Sequence, residues 1–246
     1  MIVELIAHTV VTGWGHMRDA GWVDHEDAGL LELGDGLGGP DVDADYLAEF
    51  AGRLCYQSWK RPNLKTATNE GYLEHILESQ HFSVLEHASA TFYVAEVSRS
   101  LSHELVRHRH LSFSQMSQRY VDESQAQFIT PPAIFERQGK AMQLYHTALV
   151  GQTDFYAALV KTLERDGLSR KEARQAARSV MPNATETRLV VTGNLRAWRD
   201  VITKRIAPAA DAEIRQLAAR LLLHLQRIAP STFQDMAVPA DLEVVK

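Results

Sequence analysis

Apolar positions along this chain repeat at two spacings, and the alternation between them sketches the fold. Near-alternation over residues 1–10 (MIVELIAHTV) predicts a strand. The β-branched and aromatic runs at 88–97 (ASATFYVAEV) and 185–192 predict two more. Three-and-four spacing predicts a helix over 43–56, with Tyr46, Leu47, Phe50 and Leu54 inward, and another over 68–80 with Leu73, Ile76 and Leu77. A short helix capped by Ser98 or Ser100 runs to about 107 and buries Leu101 and Leu105. Residues 137–166 read as a long helix or a helix pair bent at Gly151. The pattern Ser169, Arg170, Lys171, Glu172 is a capping box, opening a helix that ends before Pro182. Asn194 caps a helix over 195–206, and 211–229 carries Ile214, Leu217, Leu221, Leu225 and Ile228 on one face.

Breakers fill the gaps. GDGLGGP at 34–40 marks 12–40 as a Gly-rich, acidic insertion, read as mobile and without chemistry. Arg61, Pro62 and Asn63 make a loop, and Pro131–Pro132 sits in an extended connector. Strands and helices mix without strict βαβ alternation, and no internal repeat is evident. One α+β domain over 1–246, a mixed sheet covered by helices, is the expected architecture.

One stretch fits neither spacing. Residues 107–120, RHRHLSFSQMSQRY, place Arg107, His108, Arg109 and His110 directly before three serines, two glutamines and Arg119–Tyr120. Its only aliphatic or Phe positions are Leu111, Phe113 and Met116, too few for a core helix. It has neither Gly nor Pro, so it is no linker, and it is read as a helix C-terminal end running into a loop. Forked guanidiniums followed by hydroxyls and amides suit a phosphate-bearing ligand.

Charge sharpens that reading. The net charge is −5, yet residues 1–50 hold eleven Asp/Glu against Arg18 alone, while 168–205 hold nine Lys/Arg against Glu172, Glu186 and Asp200. A local cationic pocket on an acidic protein suits a small anion better than nucleic acid. Within the second basic block, Arg170, Arg174 and Arg178 recur every fourth residue and form one helical stripe. Arg205 shares a helix face with Trp198, Val201 and Ile202, so it needs an acidic partner, a ligand or a path to solvent. Cys55 is the only cysteine, which rules out an intrachain disulfide and a cysteine metal cluster, and its place beside Leu54 and Tyr56 reads as a buried structural thiol. No metal is expected: His103–Glu104 begins an HExxH pattern, but Arg107 stands where the second histidine belongs. No run reaches membrane-span length and no signal pattern opens the chain, so a cytoplasmic protein without a membrane partner is expected. The residues alone leave open a non-enzymatic nucleotide- or nucleic-acid-binding protein using the RHRH cluster.

The motif at 107–120 resembles the signature of flavin-dependent thymidylate synthases. GRLCYQSW, HFSVLEHASATFY, ARQAARSVMPNATETRLVVTGNLRAWR and the following Arg205 resemble the same family in the same order, so the likeness spans roughly residues 44–236. It implies a largely antiparallel central sheet flanked by helices. It implies reductive methylation of dUMP to dTMP, with methylenetetrahydrofolate giving the carbon and NADPH-reduced FAD the hydride. It also implies a homotetramer with active sites shared between subunits, and no cysteine nucleophile.

Carried over position by position, Arg107, His108 and Arg109 match the FAD-contacting triplet, with Arg107 also near the nucleotide. Ser83, Gln115, Asn194, Leu195, Arg196 and Asp200 match further flavin contacts, Gln115 being shared with substrate. Glu104, Leu105, Val106, Met116, Ser117, Gln118, Arg119 and Arg178 match dUMP-binding positions. Arg205 matches the arginine credited with polarising the uracil at N3. Three positions depart from the family pattern. Ala209 stands where many relatives have His, Asp200 where they often have Asn or His, and Ser114–Gln115 where many have Asn–Glu.

Overall fold

The computed structural model describes residues 1–20, 22, 42–60 and 63–242. Four strands, β1 (Ile2–His8), β2 (Ser89–Ser98), β3 (Ser112–Gln115) and β4 (Glu186–Asn194), form a sheet in the order β1-β2-β4-β3. Every pairing is antiparallel, so the sheet is more uniform than the mixed one expected from the residues. Period-two alternation sends Ala90, Phe92, Val94, Leu189 and Val191 to one face, where all are buried. Thr91 and Thr192 pair on the other face and join hydroxyls at 3.0 Å. At the far end of β2 the register shifts between Val94 and Val97, and Glu96 takes a positive φ of 55°.

Helices α4 (Arg99–Leu105), α9 (Leu195–Arg205) and α10 (Ala212–Ile228) cover the apolar face. The stripe expected on α10 is buried in full. Trp198 of α9 meets Phe92 edge to face at 5.1 Å and donates its indole N–H to Ala90 O at 3.1 Å. Both rings are fully buried, worth roughly 2–3 kcal/mol each in transfer terms. Ser98 and Asn194 cap α4 and α9 through their side chains, so both helices start where a strand ends. That strand-to-cap junction, used twice, sets the entry angle of the two helices that carry the site.

The helix α2 (Asp43–Tyr56) has the expected bounds, and Tyr46, Leu47 and Phe50 pack against apolar clusters as expected, but its most buried side is another one. Its buried side is Ala44, Asp45, Ala48, Glu49, Gly52 and Arg53, while Leu54 is exposed. Polar pairing makes this possible. Arg53 donates to Glu49 at 2.6 Å and to Thr66 O at 2.6 Å, beneath the Tyr72 ring of α3 (Asn69–Glu78). Asp45 accepts from Ser231 N, Thr232 N and Thr232 Oγ1, clipping α2 to the segment after α10. Rotating α2 this way turns Cys55 outward, so the thiol is exposed rather than structural.

Within the acidic insertion, Trp14–Asp19 forms a helix, α1, and Trp14, Met17 and Trp22 bury against Tyr46, Phe50 and Trp59. Part of 12–40 is therefore packed. The remainder, including GDGLGGP, and the Arg61–Pro62 turn lie outside the described residues. The expected pair over 137–166 is α6 (Gly139–Leu149) and α7 (Gln152–Arg165), broken at Gly151 with φ 78°, after a short α5 (Pro132–Arg137). Both partners of the capping box bond in α8 (Arg170–Ala177).

Candidate active site

Four of the fourteen residues of the 107–120 motif form a strand, where its polar content suggests a loop. Ser112, Phe113, Ser114 and Gln115 pair with Thr192, Val191, Val190 and Leu189 of β4. The physical reason lies in tertiary pairing. Leu111 and Phe113 face inward at period two, and β4 supplies an edge for four residues too few and too polar to declare a strand alone. Gly193 of β4 lets Leu111 approach: a Cβ there would sit 2.3 Å from Leu111 Cδ2.

This docking lays residues 107–111 against α9. A cavity of about 190 Å³ is lined by Arg107, His108, Arg109, His110, Leu111, Ala197, Asp200 and Lys204. A neighbouring one of about 410 Å³ shares His110, Ala197, Asp200 and Lys204 and adds Glu86, Asn194 and Arg196. A third, about 350 Å³, continues from Arg196 to Ser83 and Cys55. Side chains expected at a flavin from three separate segments (Ser83, the Arg107–Arg109 triplet, and Asn194 with Arg196 and Asp200) thus line three adjoining cavities, whereas Gln115 lines none of them. Leu195 is different: its side chain is in the core and its N–H is spent on Ala88 O. Lys204 and Glu86 were missed by sequence reading, and His110 was named only as part of the basic run, although the i+4 spacing of Lys204 from Asp200 was a usable signal.

Charges are arranged unevenly along these cavities. Glu86 pairs with Arg196 at 2.5 Å and Asp200 with Lys204 at 2.7 Å. Arg107 and Arg109 are exposed and make no ion pair among the described residues. Two uncommitted forked cations beside a hydrogen-bonding rim suit a pyrophosphate, so the donor set fits the cofactor that the motif implies.

Arg205 has the acidic partner its apolar face demanded. Nη1 donates to Glu104 Oε2 at 2.7 Å and Nη2 to Glu104 O at 2.9 Å, while Nε donates to His108 Nε2 at 2.8 Å. His108 Nδ1 faces Asp200 Oδ2 at 3.5 Å. Burial, aided by the Arg205 cation, holds the His108 imidazole below its ordinary pKa, with Asp200 opposing.

The other half of the motif points elsewhere. Gln115 Nε2 donates to Ser102 Oγ at 3.0 Å and Thr187 Oγ1 at 3.2 Å. Met116 has both backbone groups taken, by Arg188 O and by the Arg99 guanidinium at 2.9 Å. Burial lowers the pKa of Arg99; the Glu123 carboxylate opposes this, and Arg178 adds like-charge repulsion. Arg99 was also missed; its place directly after the Ser98 cap disguised it as a helix-start residue. The Nε atoms of Arg99 and Arg119 are buried without a hydrogen-bond partner among the described residues. The arginine stripe of α8 is split: Arg174 is buried and holds Tyr120 O and Asp122, whereas Arg170 and Arg178 are exposed. Leu105 is a core residue, Val106 is partly exposed and Gln118 is buried. None of the three cavities above is lined by Ser117, Gln118, Arg119 or Arg178.

Comparison with known proteins places this geometry. Residues 41–231 match the family described as thymidylate synthase complementing protein. The flavin-dependent thymidylate synthase of Mycobacteroides abscessus is 50% identical over 223 residues, 85% of this chain and 89% of that one. That of Mycobacterium sp. strain JLS is 53% identical over 203 residues, covering 78% and 80%. The fold is shared with thymidylate synthase X of Helicobacter pylori, solved with FAD and dUMP, at TM-score 0.63 and 20% identity over 96% of this chain and 98% of that one. A signature carried on a strand edge and closed by α9, matched over most of its length by such relatives, leaves one assignment: the chain belongs to the flavin-dependent thymidylate synthase family.

Proposed function

We infer that this protein makes dTMP by reductive methylation of dUMP, with FAD as its flavin, methylenetetrahydrofolate as carbon donor and NADPH as reductant. The observation that carries the reading is the union of an RHR cluster, Asn194 and Arg196 around adjoining cavities, with Arg205 anchored at their edge.

Arg107 and Arg109 hold the cofactor's pyrophosphate, with His108, Ser83, Asn194, Arg196 and Asp200 as further contacts; Gln115 is assigned by family likeness alone, and Leu195 would contribute only through its carbonyl. Bound there and reduced by NADPH, FAD would supply the hydride that turns the transferred methylene into a methyl. Arg99, Arg119 and Arg178 receive the dUMP phosphate, and Ser117 and Gln118 the rest of the nucleotide. The uracil is activated electrostatically. Arg205 turns its fork from Glu104 to the pyrimidine and stabilises negative charge developing on the ring, most strongly where water is excluded. Cys55 stands in the Ser83 cavity, away from the Arg107–Arg109 cluster, and serves no nucleophilic role.

Flavin-side and nucleotide-side groups line different parts of one chain, which supports completion of each site by a second copy in a homotetramer. The apolar surface of Phe135, Leu144, Val150 and Phe155 supports the same assembly. No helix among the described residues is long and apolar enough to cross a membrane, in keeping with a cytoplasmic enzyme. Tritium release from labelled dUMP should require FAD, NADPH and methylenetetrahydrofolate together; release without flavin would overturn the reading.

A further inference from the structure

The anchoring of Arg205 contains a choice that its own side chain cannot make. A guanidinium offers only donors, so the 2.8 Å bond from Arg205 Nε requires a lone pair on His108 Nε2. The imidazole proton must then sit on Nδ1. That atom faces Asp200 Oδ2, whose carboxylate is held on α9 by Lys204 at 2.7 and 2.9 Å. Asp200, Lys204 and Arg205 come from α9, while Glu104 and His108 come from the end of α4 and the turn after it. The chain Asp200–His108–Arg205–Glu104 therefore clips the two elements together. Its middle is sheltered, with His108 and Arg205 side chains 7% and 18% exposed, and its ends are wetter, Asp200 and Glu104 at 44% and 41%.

We propose that Asp200 is a positioning residue, which fixes the Nδ1–H tautomer of His108 and so keeps Nε2 open to hold the Nε edge of Arg205. With one edge of the fork pinned by His108, Nη1 and Nη2 can exchange Glu104 for substrate without the side chain losing its place. Without Asp200, the imidazole is free to carry its proton on Nε2. Two N–H groups would then confront each other, and Arg205 would swing off its support. Orientation of this kind, a carboxylate acting on a group through an imidazole, is the usual way a histidine's tautomer is set. The role is distinct from a flavin contact, although it rests on the dTMP-forming reading for its catalytic consequence.

The tautomer can be read without turnover. In protein labelled with ¹⁵N-histidine and free of ligands, His108 is identified as the signal lost in His108→Gln. Wild type should show a protonated Nδ1 and an unprotonated Nε2. Asp200→Leu should shift His108 towards Nε2–H, whereas Asp200→Asn, whose amide oxygen still accepts from Nδ1, should keep the wild-type pattern. In turnover at saturating FAD, Asp200→Leu should lower the maximal rate of dTMP formation roughly 10- to 100-fold, with the KM for dUMP changed no more than about twofold. Asp200→Asn should recover most of that loss. An unchanged tautomer in folded Asp200→Leu overturns the proposal, and so does loss of FAD affinity as the sole defect. A wild-type protein that forms no dTMP would instead overturn the functional reading and leave the tautomer result to decide the rest.

Discussion

Two residues, Arg205 and Cys55, separate an electrostatic mechanism from a thiol mechanism. Arg205 is half-buried with all three guanidinium nitrogens committed, to Glu104 and His108. Arg205→Ala removes the cation proposed to stabilise charge on the uracil, and kcat/KM for dTMP formation should fall about 10²- to 10³-fold, the cost of one such donor. Circular dichroism should show the fold intact; retained turnover would remove Arg205 from the catalytic step. Arg205→Lys keeps the charge but not the fork, and should recover only a small part of the loss. Cys55 is exposed, and its thiol reaches no more than Ala51 O at 3.4 Å. Cys55→Ser should leave dTMP formation within about twofold of wild type, a magnitude typical of a surface change. Abolished turnover in a folded Cys55→Ser protein would point to a thiol mechanism.

At the scale of elements, the site depends on how strands hand over to helices. β4 ends in Asn194, whose side chain accepts from Ala197 N at 2.8 Å and starts α9. That same helix start faces the cavity with Arg196 and Asp200. Gly193, one residue earlier, is where Leu111 of the motif comes in. Gly193→Val should disturb the motif's seat, lowering FAD affinity more than thermal stability, which a flavin titration beside a melting curve would separate. Equal loss in both would show that the glycine serves the core alone. The capping box at Ser169 is the opposite case. Its bonds, Ser169 Oγ to Glu172 N and Glu172 Oε2 back to Ser169 N, are local and far in role from the chemistry. Ser169→Ala should cost about 1 kcal/mol of stability with no change in FAD affinity.

For the whole molecule, pH acts through a buried carboxylate that ties distant segments together. Burial raises the Asp45 pKa from 3.8 to about 6, its bonds to Thr232 and Ser231 only partly opposing this. The folded state therefore binds this proton more tightly than the unfolded chain does. The resulting stabilisation is complete below about pH 4 and is lost as pH rises through about 6. Asp45→Asn cannot titrate. Its melting temperature should lie increasingly below that of wild type as pH falls from 7 to 4, the gap growing by up to roughly 3 kcal/mol in stability. A constant gap would sink this account.

The helical and strand periods, the capping residues and the RHR motif were readable from local order alone, because each follows from side chains a few residues apart. The Gly151 break, the capping box and the inner stripe of α10 stand where the spacing put them, and β1, β2 and β4 end within two residues of their expected bounds. So does the family, since a fourteen-residue run of cations, hydroxyls and amides is too unusual to arise from packing needs. What local order could not decide is which groups face each other. The inner side of α2 is polar because Glu49, Arg53 and Asp45 find partners at Asn69, Thr66 and Thr232, and such pairing cancels a desolvation cost that any one-dimensional reading charges in full. That rotation exposed Cys55. Likewise Ser112–Gln115 became a strand because β4 had an edge to pair, and Arg205 gained its anchors from residues about a hundred positions earlier. Only tertiary structure brings His108 between Asp200 and Arg205, because hydrogen-bond partners are chosen by proximity in space, which the order of residues along the chain does not contain.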